Sequence, residues 1–373
     1  MLATLSVRSV LLCLILLPAL SGCVSIDPES GASPSPATST PDSDTSPEAA
    51  PSATQAPSPT PAAVGIVTLN AVGDIMLERD LITLMDQHGS IYPFAAVQEL
   101  LDDADLTIGN IEGTFTDGGV RANKFYAFRT PTRHAAGLAQ AGFDIVSLGN
   151  NHAMDYGAQG LADTVAALDE AGVLHSGAGL NMEAARRPTI LEANGLRIAF
   201  LSYNAAALSE AYPAGPATPG VALAEVASIQ QDVTAARADA DVVVVSLHAG
   251  TEYTDQPTNE QVMLSRTAID AGAAVVLGHH PHVLQGWEHY GDGYIFYSLG
   301  NFVFDLDFED LETLGARPFQ SVILRLELTA VGVESVEMRP VFIDPAENRP
   351  LPAKGERLHE IEARLELLNM ALN

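Results

Sequence analysis

A layered α/β fold built on two sheets is the class this sequence predicts. From Val64 onward, short β-branched apolar runs alternate with alanine-rich stretches of helical spacing, the pattern of βα units. After His282 the alternation stops and strands follow one another, the first two joined by Gly291-Asp292-Gly293, a hairpin signal. No further linker and no internal repeat interrupts the roughly 300 residues after Val64, so one large domain accommodates them.

The elements follow in order. Ile66–Val72, Leu106–Ile108, Asp144–Leu148, Leu196–Leu201, Val242–Leu247 and Ala274–Leu277 are apolar and mostly unbroken, as strands covered on both faces are. Leu161–Ala171, Glu225–Ala238 and Asn259–Ala271 carry apolar residues at three- and four-residue spacing and are read as helices. Val283–Tyr290 and Tyr294–Ser298 flank the hairpin turn, and Ser321–Leu328 and Val333–Ile343 are strands of alternating character. Glu356–Leu368 is a terminal helix, placing a helical segment at 351–373 against a domain at 65–350.

The N-terminal part belongs to another class. Arg8 precedes an apolar run from Val10 to Leu17, shorter than the ~20 residues a membrane-spanning helix needs, so residues 1–23 read as a signal peptide. Leu20-Ser21-Gly22-Cys23 resembles a bacterial lipobox, with Cys23 as the lipidated first residue of the mature chain. Two acyl chains anchor durably where one does not. Residues 24–64 are rich in Ser, Thr, Pro and Ala, too polar to offset chain entropy, and read as a disordered tether. The expected location is extracytoplasmic, lipid-anchored to a bacterial membrane.

Composition excludes several functions. The formal net charge is −29, and Lys124 and Lys354 are the only lysines, which argues against a nucleic-acid partner. The two cysteines are Cys13, inside the leader, and Cys23, so neither thiolate nucleophiles nor thiolate-bound zinc is expected.

Five segments share one design, a strand ending in a tight Gly or Asn turn with a ligand-type side chain. They are Gly73-Asp74, Gly109-Asn110-Ile111-Glu112, Gly149-Asn150-Asn151-His152 with Asp155, His248 with Glu252, and Gly278-His279-His280-Pro281-His282. Five of the ten histidines lie in these segments. Singly, each has a plain structural reading: Asp74 as a helix cap, Glu112 as a solvated turn residue, Asn150-Asn151 as a turn, His248 as a packed histidine. Jointly they place carboxylate, amide oxygen and imidazole at the carboxyl ends of strands, where open α/β sheets bind ligands. That donor set suits Mn²⁺, Fe²⁺ or Zn²⁺. Arg121, Lys124, Arg129 and Arg133 cluster after Glu112 with Phe125, Tyr126 and Phe128 between them, either a solvated loop or an anion clamp. Arg129, with Arg121 and Lys124, is the preferred substrate contact, because guanidinium grips carboxylate or phosphate bidentately.

The order Gly-Asp, Asn-x-Glu, Gly-Asn-Asn-His, His-x-Gly-x-Glu and His-Pro-His, with Tyr297-Ser298-Leu299-Gly300-Asn301-Phe302, resembles the CapA family of poly-γ-glutamate capsule synthesis. That family lies within the calcineurin-like metallophosphoesterase superfamily, and the resemblance runs from about Ile66 to Asp305. It implies a four-layer α/β/β/α sandwich with two divalent metal ions at the strand ends. It further implies Asp74 and His282 on the first metal, and Asn151, His248 and His280 on the second. Glu112 would bridge them, with Asn110 an additional ligand. His152 would protonate a leaving oxygen with Asp155 orienting it, and His279 would be a neighbour.

The chain departs from the superfamily pattern at Asp74-Ile75-Met76, where Asp-x-His is usual, and at Glu112, where Asp is usual. The implied role is metal-dependent hydrolysis or transfer on an anionic envelope polymer or a phosphoester, with a capsule synthase as a further partner. The alternative is a non-catalytic scaffold that tethers a polymer to a membrane synthase.

Overall fold

The structure is a computed structural model that describes residues 65–206 and 212–372. The leader, Cys23 and the tether lie outside the described residues.

The chain builds its first sheet, leaves it for a second, and returns. The strands Val67–Ile75 (β1), Leu106–Ile111 (β2), Ile145–Ser147 (β3) and Leu174–Ser176 (β4) run parallel to one another. The second sheet then takes Thr189–Ala193 (β5), Leu196–Asn204 (β6), Val242–His248 (β7), Val275–His279 (β8), Trp287–Tyr290 (β9) and Gly293–Phe296 (β10), in the order β9-β10-β8-β7-β6-β5. Asn301–Val303 (β11), Gln320–Thr329 (β12), Gly332–Asp344 (β13) and Arg349–Pro352 (β14) rejoin the first sheet. Its order is β14-β13-β12-β1-β2-β3-β4, with β11 alongside the end of β1.

The side-chain period of two explains the layering. On β7, Val242 and Val244 enter one apolar cluster while Val243, Val245 and Leu247 enter another. On β6, Ile198 and Phe200 join the first, and Ala199, Leu201 and Tyr203 the second. The first cluster also holds Val67, Leu69 and Ala71 of β1 and Leu324, Leu326 and Leu328 of β12, so it is the core between the sheets.

The outer faces are covered by helices. Asp80–His88 (α1) and Gly157–Ala171 (α2) bury Leu81, Met85, Leu161 and Leu168 with Val72, Ile75 and Val146 of the first sheet. Val226–Asp239 (α3) and Asn259–Asp270 (α4) bury Ile229, Val233, Leu264 and Ala268 against the second. Three cores between four layers make the expected α/β/β/α sandwich. The terminal helix, Glu356–Leu372 (α5), adds Ile361, Leu365 and Leu368 to the core between the sheets.

The predicted strands all form, several longer than their apolar runs. β1 continues through Gly73-Asp74 to Ile75, because a break in register after Ala71 lets it pair with both β2 and β11 at Asp74. The edge strands β4, β5, β11 and β14 and the helix α1 are additional to the expected set. They are short or mixed in polarity and form because a neighbour supplies the pairing or packing.

Candidate metal centre

Parallel pairing aligns the ligand segments. Asp74 is level with Asn110 in the first sheet, and His248 with His279 in the second. The approach is close because two positions lack a Cβ: one at Gly73 would lie 1.9 Å from the Gly300 oxygen, and one at Gly278 would lie 2.0 Å from the Tyr297 oxygen. His280 and His282 take positive φ angles of 95° and 56°. Non-glycine residues hold such conformations where the surroundings over-determine them, as at functional sites.

Asp74 is fully buried and surrounded by donors. Its Oδ1 accepts from the Asn110 amide at 2.9 Å and lies 3.2 Å from His279 Nδ1. Its Oδ2 accepts from the His280 backbone N–H at 3.2 Å and lies 3.3 Å from His282 Nδ1. Burial pushes the Asp74 pKa up, but His279 and His282 outweigh it and hold the carboxyl well below the usual range. His282 also meets the Asn301 amide oxygen at 2.9 Å through Nδ1, which leaves Nε2 facing Glu112 Oε1 at 3.5 Å. The His282 pKa rises to about 10, because Glu112 and Asp74 outweigh the burial that would lower it.

Glu112 is buried, and neither carboxylate oxygen has a hydrogen-bond partner among the described residues. Burial raises its pKa to about 8. Two unpartnered carboxylate oxygens are a costly way to fill a core. They suit a cation held between the sheets. His248 and His280 stand alongside with ring centroids 4.9 Å apart, and His280 Nδ1 also lacks a partner among the described residues. Burial lowers the His280 pKa to about 3 and carries His248 well below its ordinary value, keeping both imidazoles neutral, the form that binds metal.

Among the described residues, three groups place their ligand atoms within 4.8 Å of one another: Asp74, Glu112 and His282; Glu112, His248 and His280; and Glu252, His280 and His282. Glu112 is common to the first two. Asn151 Oδ1 lies 2.8 Å from His248 Nε2, beside the second. The residues fit divalent ions bound through nitrogen and oxygen.

Asn110 is placed differently from the ligand role implied for it. Its amide nitrogen faces Asp74 and its oxygen accepts from Asn150 at 3.0 Å, so its placement braces Asp74. Met76, at the position where a histidine is usual, is fully buried in the core between the sheets.

His152 stands at the edge of the centre. Asp155 Oδ2 accepts from its Nδ1 at 2.8 Å, and its Nε2 lies 3.7 Å from Glu112 Oε1. Phe128 packs over the ring at 4.4 Å between centroids. Burial lowers the His152 pKa, against the opposing pull of Asp155.

The basic side chains divide by burial. Lys124 is buried, its ammonium 2.6 Å from Asp155 Oδ1 and donating to the Asn151 carbonyl at 2.7 Å. Arg121 is exposed and donates to the carbonyls of Ala122, Lys124 and Phe125 in its own loop. Arg129 lies over the Tyr156 ring at 4.9 Å, and Arg133 forks onto Asp86. None of these four lines the cleft of about 300 Å³ beside the centre, where Arg79 is the basic side chain, together with Phe128, His152, Glu252, Tyr253, His282 and Phe304. The Arg79 guanidinium lies over Phe128 at 5.6 Å and has no carboxylate within ion-pair distance among the described residues. The signal for Arg79 is its place five residues after Asp74. For Asn301 it is the Gly300-Asn301 turn, which repeats the design of the five ligand segments.

An α/β/β/α sandwich with a buried carboxylate–imidazole cluster at its strand ends defines a layered α/β protein with a site of metal-binding type. Within that class, the chain belongs to the family described as bacterial capsule synthesis protein PGA_cap, which matches residues 68–306. It is 32% identical over 295 residues to the capsule biosynthesis protein CapA of Bacillus anthracis, covering 76% of this chain and 69% of that protein. It is 33% identical over 298 residues to the PGA biosynthesis protein CapA of Bacillus subtilis strain 168, covering 79% and 76%. The crystal structure of a phosphatase from Mycoplasma pneumoniae aligns with a TM-score of 0.49 at 16% identity, over 76% of this chain and 96% of that one.

Proposed function

We propose that this chain is a lipid-anchored protein of the bacterial cell envelope. It binds two divalent ions and uses them in hydrolysis or transfer on an anionic capsule polymer of the poly-γ-glutamate type, or on a phosphoester that serves its assembly. Glu112 carries the reading. It is buried, neither oxygen has a hydrogen-bond partner among the described residues, and it is shared by the Asp74–His282 and His248–His280 groups. The leader, the lipobox at Cys23 and the tether motivate the anchor and an extracytoplasmic position beside a capsule synthase.

The ions supply Lewis acidity at the reacting centre. The chain supplies proton handling and positioning. Asp155 accepts from His152 Nδ1, so when the ring takes up a second proton that proton sits on Nε2, and the imidazolium on the cleft wall can pass it to a leaving oxygen and return to neutral. Lys124 lies 2.6 Å from Asp155 Oδ1 and sets a counter-charge behind the His152 pair. Phe128, Phe304 and Tyr253 wall the cleft with aromatic surface.

The test uses the full chain with D74A and H280A variants, assayed for bound Mn, Fe and Zn and for hydrolysis of generic phosphoesters. The wild type is expected to retain about two ions per chain and the variants fewer. Equally little metal in all three, with no hydrolysis, rejects the reading. Polymer export that survives H152A favours a scaffold that tethers the polymer without chemistry.

A further inference from the structure

Glu252 stands in the third ligand group but has no part in the function proposed above. Its carboxylate lies within 4.8 Å of the ligand nitrogens of His280 and His282, each of which belongs to one of the two groups that Glu112 joins. The three groups therefore close on themselves. Glu112 meets both histidines from the buried side, and Glu252 meets both from the cleft that it lines.

The backbone holds Glu252 there. It follows His248 by four residues, in a loop whose start and end are tied to the histidine turn. Ala249 N–H donates to the His279 carbonyl at 3.1 Å, and Tyr253 N–H donates to the Pro281 carbonyl at 2.8 Å. Two positive φ angles, 116° at Gly250 and 58° at Tyr253, give the loop its path. A Cβ at Gly250 would lie 2.5 Å from the Gln261 side chain, so the path runs tight against α4.

The ligand inventory leaves it work to do. Both Asp74 oxygens face protein donors, the Asn110 oxygen is turned to Asn150, and Met76 is in the core. His280 Nδ1 and both Glu112 oxygens are buried and have no hydrogen-bond partner among the described residues, beside the position Glu252 reaches. We infer that Glu252 is a second carboxylate ligand of the metal centre, which closes it from the cleft side for a divalent ion of the Mn²⁺ type. This rests on the metal-binding reading above and adds a ligand to it. A substrate oxygen entering the cleft then competes with a carboxylate already in the chain.

The experiment strips the full-length protein with chelator and titrates it with Mn²⁺, for wild type, E252Q and E252D, at low and at high salt. Binding is counted by calorimetry and elemental mass spectrometry, and the fold is checked by circular dichroism. The expected result is that E252Q weakens Mn²⁺ binding by about tenfold or more at both salt concentrations, with E252D intermediate. E252Q that binds as the wild type does overturns the inference. So does a weakening that high salt abolishes, because a distant charge is screened and a ligand is not. A wild type that binds no Mn²⁺ rejects the metal reading itself, an outcome distinct from either.

Discussion

Arg79 and Lys124 show how burial, not sequence position, assigns the work of a basic side chain. Lys124 is enclosed with Asp155 as a counter-charge for the His152 pair, while Arg79 faces the cleft with an uncommitted guanidinium over Phe128. R79A is therefore expected to raise KM for an anionic substrate by about tenfold, the weight of one charged hydrogen bond, with a smaller change in kcat. An unchanged KM would remove Arg79 from substrate binding. His175, on β4, carries a pH effect away from the metal centre. Burial lowers its pKa, Asp169 opposes, and its Nδ1 has no partner among the described residues. A histidine depressed in the folded state contributes stability that is present above its unfolded pKa of about 6.5 and is lost as pH falls toward the folded value. H175Q is expected to flatten the loss of stability below about pH 6.5, read from urea midpoints across that range. Superimposable wild-type and variant curves would refute it.

At the scale of elements, the centre depends on strand ends approaching more closely than a side chain allows. A methyl group at residue 278 would lie 2.0 Å from the Tyr297 oxygen and 2.4 Å from its carbon, atoms of a backbone that cannot rotate aside. G278A is expected to cost at least the ~1–3 kcal/mol typical of overpacking and to weaken metal binding by displacing His279–His282. Urea denaturation measures the first and Mn²⁺ titration the second. A variant of wild-type stability would show that β8 and the segment just after β10 have room to separate. The helices are ordinary by comparison. α4 begins with a capping box in which Thr258 and Gln261 satisfy each other's backbone, which is why the predicted start at Asn259 matches the structure.

For the whole molecule, the proposed metal centre draws its ligand residues from two sheets that are held together by apolar packing. Asp74 and Glu112 come from the first sheet side, His248, His280 and His282 from the second. Ions bound between them stabilise only the folded state. Mn²⁺ at a hundredfold excess over Kd is expected to raise unfolding stability by about 2.7 kcal/mol per site, and chelator to remove that gain. Thermal melts with and without Mn²⁺ check this, and coincident melts would contradict a shared centre.

The sequence by itself determined the order of strands and helices, the switch to consecutive strands after His282, and the five strand-end segments that the fold brings together. These are legible because side-chain period, turn chemistry and capping act over a few neighbouring residues. It did not determine which way a side chain turns once the sheets meet. Only the tertiary structure decided that the Asn110 oxygen faces Asn150, that Met76 fills the core, that Lys124 is enclosed and that Arg79 and Glu252 reach the cleft. Each of these depends on contacts between residues far apart in the chain. The Glu112 oxygens depend on them most, because two sheets close over the carboxylate and leave it among imidazoles with no hydrogen-bond partner among the described residues.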